Sequence, residues 1–164
     1  MTLSSDTVVI GGVYALVAGV RSVVNQHADW STTAELVAEQ LRRHLPDLST
    51  IAPVDEPARR LHIEPDGTFS VLALTWQPGQ LTRIHDHVTW CAFGVVRGIE
   101  HEELFDEQLN PVGVTDNRPG DVSGFAPPGD IHRLHNVTDE PAVSIHIYGT
   151  DVSRVGSSVR RFYN

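Results

Sequence analysis

The 164-residue sequence predicts a mainly β fold, a double-stranded β-helix or jelly-roll barrel over residues 59–150, behind a helical segment over residues 1–50. Three observations predict it. From residue 59 onward, about eight short apolar runs are punctuated by turn residues, the pattern of a sandwich or barrel. Before residue 50, apolar residues recur instead at three- and four-residue steps. Finally, the stretches 79–98 and 120–137 set histidines inside strand-like segments bounded by glycine and proline.

In the N-terminal segment, Val13, Leu16, Val17, Val20, Val23 and Val24 form one face of a first helix. A second helix starts at a cap between Asp29 and Thr33, carries Leu36, Val37, Leu41 and Leu45 as its stripe, and ends at Pro46. Residues 48–56 connect it to the barrel. The expected strands are 60–63, 68–76, 84–87, 91–97, 100–106, 121–125, 131–136 and 142–148. Breaks fall at 65–67, 78–79, Gly98, 110–113, 119–120, 127–129 and 139–141. The tail, 151–164, is polar and basic, either a final edge strand or loosely ordered. The whole reads as one domain, long enough for a substantial core.

Composition narrows the partners. A hydrophobic fraction of 40% and a charged fraction of 20% suit an ordinary globular protein. A net charge of −9 repels a phosphate backbone, so no nucleic acid is expected. No run reaches the ~18 apolar residues of a membrane span. The apolar stretch 8–24 is broken by Gly11, Gly12, Gly19 and Arg21 and lacks a basic leader, so it reads as the first helix and no membrane partner is expected. The single cysteine, Cys91, excludes an intrachain disulfide and accords with a cytoplasmic location. A monomer or small homo-oligomer is expected.

His85 and His87 are two residues apart, so on a strand both imidazoles project from one face and can hold one metal ion. His132, in the second stretch, supplies the third ligand if the two strands neighbour each other. Three imidazoles leave open positions on a six-coordinate metal, as catalysis requires, and serve iron, zinc, copper, nickel or manganese alike. His135 has the opposite strand parity from His132 and should face away. His101 is expected on the outer surface among Glu100, Glu102 and Glu103, while His27 and His44 belong to the helices. In 141–149, Ser144, His146 and Tyr148 share one strand face while Val143, Ile145 and Ile147 share the other. If the latter pack in the core, three polar groups line up toward the pocket. No nucleophile elbow accompanies them, which argues against a hydrolase triad.

These stretches resemble the two motifs of the cupin superfamily. Gly79, His85, His87 and Gly98 match the first, and Pro127, Gly129, His132 and Asn136 match the second. Where most cupins carry a glutamate ligand this chain has Cys91. With the Ser144-x-His146-x-Tyr148 run, that substitution is similar to the cysteine dioxygenase family of thiol dioxygenases. The resemblance covers about residues 59–149. It implies Fe(II) on three histidines, and a reaction that adds both atoms of O2 to the sulfur of a small thiol, cysteine or a relative, giving a sulfinic acid. It also implies that Ser144 orients His146, that His146 orients Tyr148, and that the phenol faces the iron. Cys91 is then the partner of Tyr148, since some members join these side chains in a thioether. Three residues separate His87 from Cys91, one fewer than in the mammalian-type enzymes. Family members specific for cysteine bind the substrate carboxylate with an arginine, which falls here at Arg59 or Arg60. Trp90 is expected at the pocket edge. A cupin isomerase, an oxygenase acting on carbon, and a non-catalytic metal-binding cupin are the alternatives.

Overall fold

The computed structural model describes residues 2–163. Helix α1 (Ser5–Val24) starts where the Ser4 hydroxyl accepts from the Thr7 amide at 3.2 Å. Helix α2 (Trp30–His44) starts where Asp29 accepts from the Thr32 amide at 2.8 Å. A single 3₁₀ turn, Leu45–Leu48, carries Pro46 out of α2. The chain then runs through β1 (Ala58–Ile63), β2 (Ser70–Trp76), β3 (His85–His87), β4 (Cys91–Arg97) and β5 (Glu100–Phe105). It continues through β6 (Pro111–Asn117), β7 (Val122–Phe125), β8 (His132–His135), β9 (Ala142–Tyr148), a short helix α3 (Val152–Val155) and β10 (Val159–Phe162).

The strands form two five-stranded antiparallel sheets, ordered β1-β2-β9-β4-β7 and β10-β3-β8-β5-β6. This is the expected double-stranded β-helix with its helical N-terminal segment. The central strands of the first sheet, β2, β9 and β4, are buried on both faces. Val71, Ala73, Ala92, Ile145 and Ile147 point outward and pack with Leu16, Val20, Val37 and Leu41 of the two helices. The helices approach closely enough that a Cβ at Gly124 on β7 would stand 2.4 Å from the Ala34 carbonyl oxygen of α2, so only glycine fits there. The opposite face of this sheet looks into the barrel. Helix α1 is, by length and composition, apolar enough to cross a membrane, with a mean hydropathy of 1.8. Its Leu16, Val17, Val20 and Val23 are nevertheless buried in this core.

Two expectations needed correction or completion. Residues 111–117 form a strand rather than a break. It is the edge of the second sheet and almost wholly exposed, so its Val112 and Val114 face solvent, and Pro111 is tolerated there because an edge strand can spare an N–H. The tail takes the edge-strand option, as β10 pairs with β3. Asp86 fastens it: facing away from its histidine neighbours, it binds the Arg160 guanidinium and accepts from the Tyr163 hydroxyl at 2.8 Å. Burial alone would raise the Asp86 pKa, but these two partners outweigh it and hold the carboxyl below its usual range.

Candidate metal centre

Strand parity and register assemble the site. His85 on β3 lies directly opposite His132 on β8, and His87 follows two residues along the same face. The three ring centroids are 4.7 to 5.0 Å apart, and one nitrogen from each ring lies within 4.8 Å of the others. All three side chains are buried.

Each ring is aimed by its Nδ1. That of His85 donates to the Arg83 carbonyl at 2.8 Å, that of His87 to Asp130 Oδ2 at 3.0 Å, and that of His132 to Glu102 Oε2 at 2.6 Å. An oxygen acceptor at Nδ1 fixes the Nδ1–H tautomer and leaves the Nε2 lone pair for a cation. The Nε2 of His132 is buried with no hydrogen-bond partner, a cost the fold bears unless a metal takes that lone pair. Burial, followed by the neighbouring His132, pushes the His85 pKa down to about 4. Burial also lowers that of His87, outweighing the hydrogen bond it donates to Asp130. His85 and His87 are therefore neutral at neutral pH, the form that binds metal. The residues present fit a divalent transition metal.

The Ser144, His146 and Tyr148 side chains line up across the cavity on β9. Ser144 Oγ is 2.9 Å from His146 Nε2, and His146 Nδ1 is 3.0 Å from the Tyr148 hydroxyl. The Trp76 indole donates to Ser144 Oγ at 3.0 Å. Burial drives the His146 pKa down to about 3 and that of Tyr148 well up, so the chain is neutral imidazole and neutral phenol. Cys91 lies directly opposite Tyr148 in the β4–β9 register and touches it, its pKa raised by burial. The shorter loop between His87 and Cys91 does not separate this pair.

A cavity of about 530 Å³ separates the histidines from Tyr148, with Leu74, Phe125, Leu134 and Phe162 among its walls. Ser158, in the loop before β10, also lines it and stands beside the phenol. A larger cleft of about 620 Å³, lined by Asp86, Arg160 and Tyr163, contains none of the three histidines.

Three expected residues lie elsewhere. Trp90 is buried in the helix-side core, under Gly149, and not at the cavity edge, because residue 90 precedes β4 on the side turned toward the helices. Arg59 and Arg60 are exposed and line a cleft against α1 rather than the cavity. Register separates the two. Arg59 opposes Ala73, whose face packs on the helices, whereas Arg60 opposes Leu72, whose face carries His146. His101 is tied to Asp116 at 2.7 Å, and neither it nor His135 joins the triad.

Sequence reasoning missed Glu102 and Asp130, yet strand parity holds the signal for Glu102. If His101 faces outward, Glu100 and Glu102 must face inward, whereas Asp130, in the loop before β8, carries no such signal.

The model of the cysteine dioxygenase type I family matches residues 13–161. The chain belongs to this family. Cysteine dioxygenase type 1 of Danio rerio is 31% identical over 99 residues, 55% of this chain and 49% of that protein. The Homo sapiens enzyme is 32% identical over 98 residues, with the same two coverages. The chain thus aligns with about half the length of these curated relatives. Among solved structures, an oxalate decarboxylase from Bacillus subtilis superposes with a TM-score of 0.51 at 16% identity, covering 65% of this chain and 29% of that one. That likeness is one of fold, the cupin double-stranded β-helix.

Proposed function

We propose that this member of the cysteine dioxygenase family is a mononuclear non-haem Fe(II) thiol dioxygenase that converts a small thiol and O2 to the sulfinic acid. One observation carries the reading: among the described residues, three converging imidazoles with no carboxylate in their cluster face a Ser-His-Tyr chain across a small cavity. His85, His87 and His132 would hold the metal through Nε2. Bound there, ferrous iron supplies a Lewis-acidic, redox-active centre with open positions for a thiolate and for dioxygen.

The chain's own residues do the rest. Asp130 and Glu102 hold two of the imidazoles in the binding tautomer. The apolar walls Leu74, Leu134, Phe125 and Phe162 exclude water and strengthen every polar contact inside. Tyr148 offers its hydroxyl to reacting oxygen and, through His146 and Ser144, is held in place. Cys91, opposite Tyr148, is positioned for a thioether, and peptide mapping that recovers the two residues linked would test it. Arg60 shares strand parity with the cavity-facing residues of β2, but its side chain, like that of Arg59, lies in the cleft against α1, so neither is assigned to the substrate carboxylate.

The test is oxygen uptake by anaerobically iron-loaded protein against a panel of small thiols, with product mass read in parallel. Gain of two oxygen atoms by one thiol is expected. Stoichiometric iron with no uptake on any thiol overturns the reading and favours the carbon-directed or non-catalytic cupins.

A further inference from the structure

Glu100 occupies the first position of β5, with its side chain inside the barrel beside that of Glu102. It is 1% exposed, and neither carboxyl oxygen has a hydrogen-bond partner. Glu102 and Asp130, also buried, each give an oxygen to a histidine; Glu100 gives none. A buried carboxyl without a partner costs more than an apolar side chain of the same size. The polar group that bears on it is the Ser144 hydroxyl, near enough to favour the ionised form yet outside regular hydrogen-bond geometry.

Beyond Ser144 the row runs through His146 to Tyr148, whose hydroxyl also has the cavity-lining Ser158 beside it. Ser144 Oγ accepts from Trp76, so it has one proton to give and one further lone pair. A neutral imidazole has one N–H and one acceptor, so His146 sits in one of two tautomers between Ser144 and Tyr148. Whichever tautomer it takes fixes the direction of every bond in the row.

We propose that Glu100 is the proton-bearing end of a four-member chain, Glu100–Ser144–His146–Tyr148, and that its protonation sets whether the Tyr148 hydroxyl donates into the cavity or away from it. The chemical use of that choice rests on the functional reading above. With Glu100 protonated, its O–H donates to Ser144 Oγ and Ser144 donates to His146 Nε2. His146 Nδ1–H then donates to the phenol oxygen, and the Tyr148 O–H points into the cavity. When a group in the cavity takes that proton, each member passes one along. The O–H of Tyr148, the Nδ1–H of His146, the O–H of Ser144 and the O–H of Glu100 break. Bonds form at the cavity acceptor, the phenol oxygen, His146 Nε2 and Ser144 Oγ. No electrons are exchanged, His146 is never an imidazolium, and Glu100 is left as the carboxylate. Every bond in the row now runs the other way, with Tyr148 donating to His146 Nδ1.

Burial, opposed by Ser144 and assisted by the negative Glu102, lifts the Glu100 pKa to about 7, where both states are populated at neutral pH. The groups facing it are Glu102 on its own strand, Ser144, His146 and Tyr148 on β9, and Trp76 on β2. Asn117 on β6 donates to its backbone carbonyl, not its carboxyl, and His132 on β8 is engaged by Glu102. A proton donor and acceptor is most effective with a pKa near the working pH.

Nitrogen-15 NMR of the full chain loaded with diamagnetic Zn(II), followed across neutral pH, tests the proposal without turnover. The proton on His146 is expected on Nδ1 at low pH and on Nε2 at high pH, switching near pH 7 together with the Glu100 carboxyl carbon. In Glu100→Gln, whose amide donates but cannot titrate, His146 is expected to keep Nδ1–H throughout. The iron-loaded variant is then expected to lose the inflection near pH 7 from its turnover profile. If that variant does not fold, the wild-type curves decide: the His146 and Glu100 signals must move at the same pH. A His146 tautomer that ignores pH, or switches equally in Glu100→Gln, overturns the chain. A clean switch in a protein that oxidises no thiol keeps the chain and overturns the functional reading instead.

Discussion

The inner faces of the two sheets hold comparable numbers of buried polar groups but treat them in opposite ways. On the second sheet, His87 and His132 are each pinned by a carboxylate, so their lone pairs converge on a point. On the first, Ser144, His146 and Tyr148 are hydrogen-bonded in a row that starts at the Trp76 indole, and none of the three is bound to a histidine ligand of the metal centre. A cation needs lone pairs that cannot turn, and a charged acceptor at Nδ1 supplies that rigidity. A row of neutral donors that are also acceptors can reverse without burying a new charge. The histidines of the second sheet are built to hold an ion, and the row on the first, met from the second by Glu100, to hold or pass a proton.

Breaking the second sheet should have the largest effect. His132→Ala is expected to lose most of the bound metal while the barrel stays folded, read by metal analysis beside circular dichroism. Full metal retention would remove His132 from the ligand set. Breaking the first sheet should leave metal in place. For Tyr148→Phe, turnover is expected to fall on the order of 10²-fold with unchanged metal content. An unchanged rate would reduce the phenol to packing.

Removing a pinning carboxylate sharpens the contrast. Asp130→Asn or Glu102→Gln should weaken metal affinity by about 10–100-fold in a competition titration, through loss of ring orientation and basicity. Equal weakening by Ser144→Ala would erase the distinction between the sheets.

The smallest effect is on stability against pH. The folded state holds the Glu100 proton up to about pH 7, whereas the ordinary glutamate value is 4.5. The folded state therefore binds more protons in that window, and this contribution to stability is lost as pH rises through it. Urea unfolding of Glu100→Gln should show stability relative to wild type improving from about pH 4.5 to 7, then levelling. His146, lowered from 6.5 to about 3, acts with the opposite sign: stability is lost as pH falls below 6.5, where the unfolded chain takes a proton that the folded ring refuses.

Spacing along a strand made much of the site readable. His85 with His87, and Ser144 with His146 and Tyr148, share faces because side chains alternate, whatever surrounds them. The same rule separates Glu100 and Glu102 from His101, so the inward carboxyls were available to reading, though acidic residues ordinarily suggest solvent. Trp90 and the two arginines were not readable in this way. A residue outside a strand has no parity, and an exposed edge strand points at the pocket or away from it only through its register with a neighbour.

Local chemistry along the chain therefore established the barrel, its helical preface and the residue types that meet in the cavity. What spacing could not supply was partnership across strands: which carboxylate reaches which imidazole, that Cys91 lies against Tyr148, and that β10 closes over β3 through Asp86 and Arg160. Alternation acts between residues one or two apart, whereas these pairs lie 30 to 74 residues apart and meet only when the sheets take up one register.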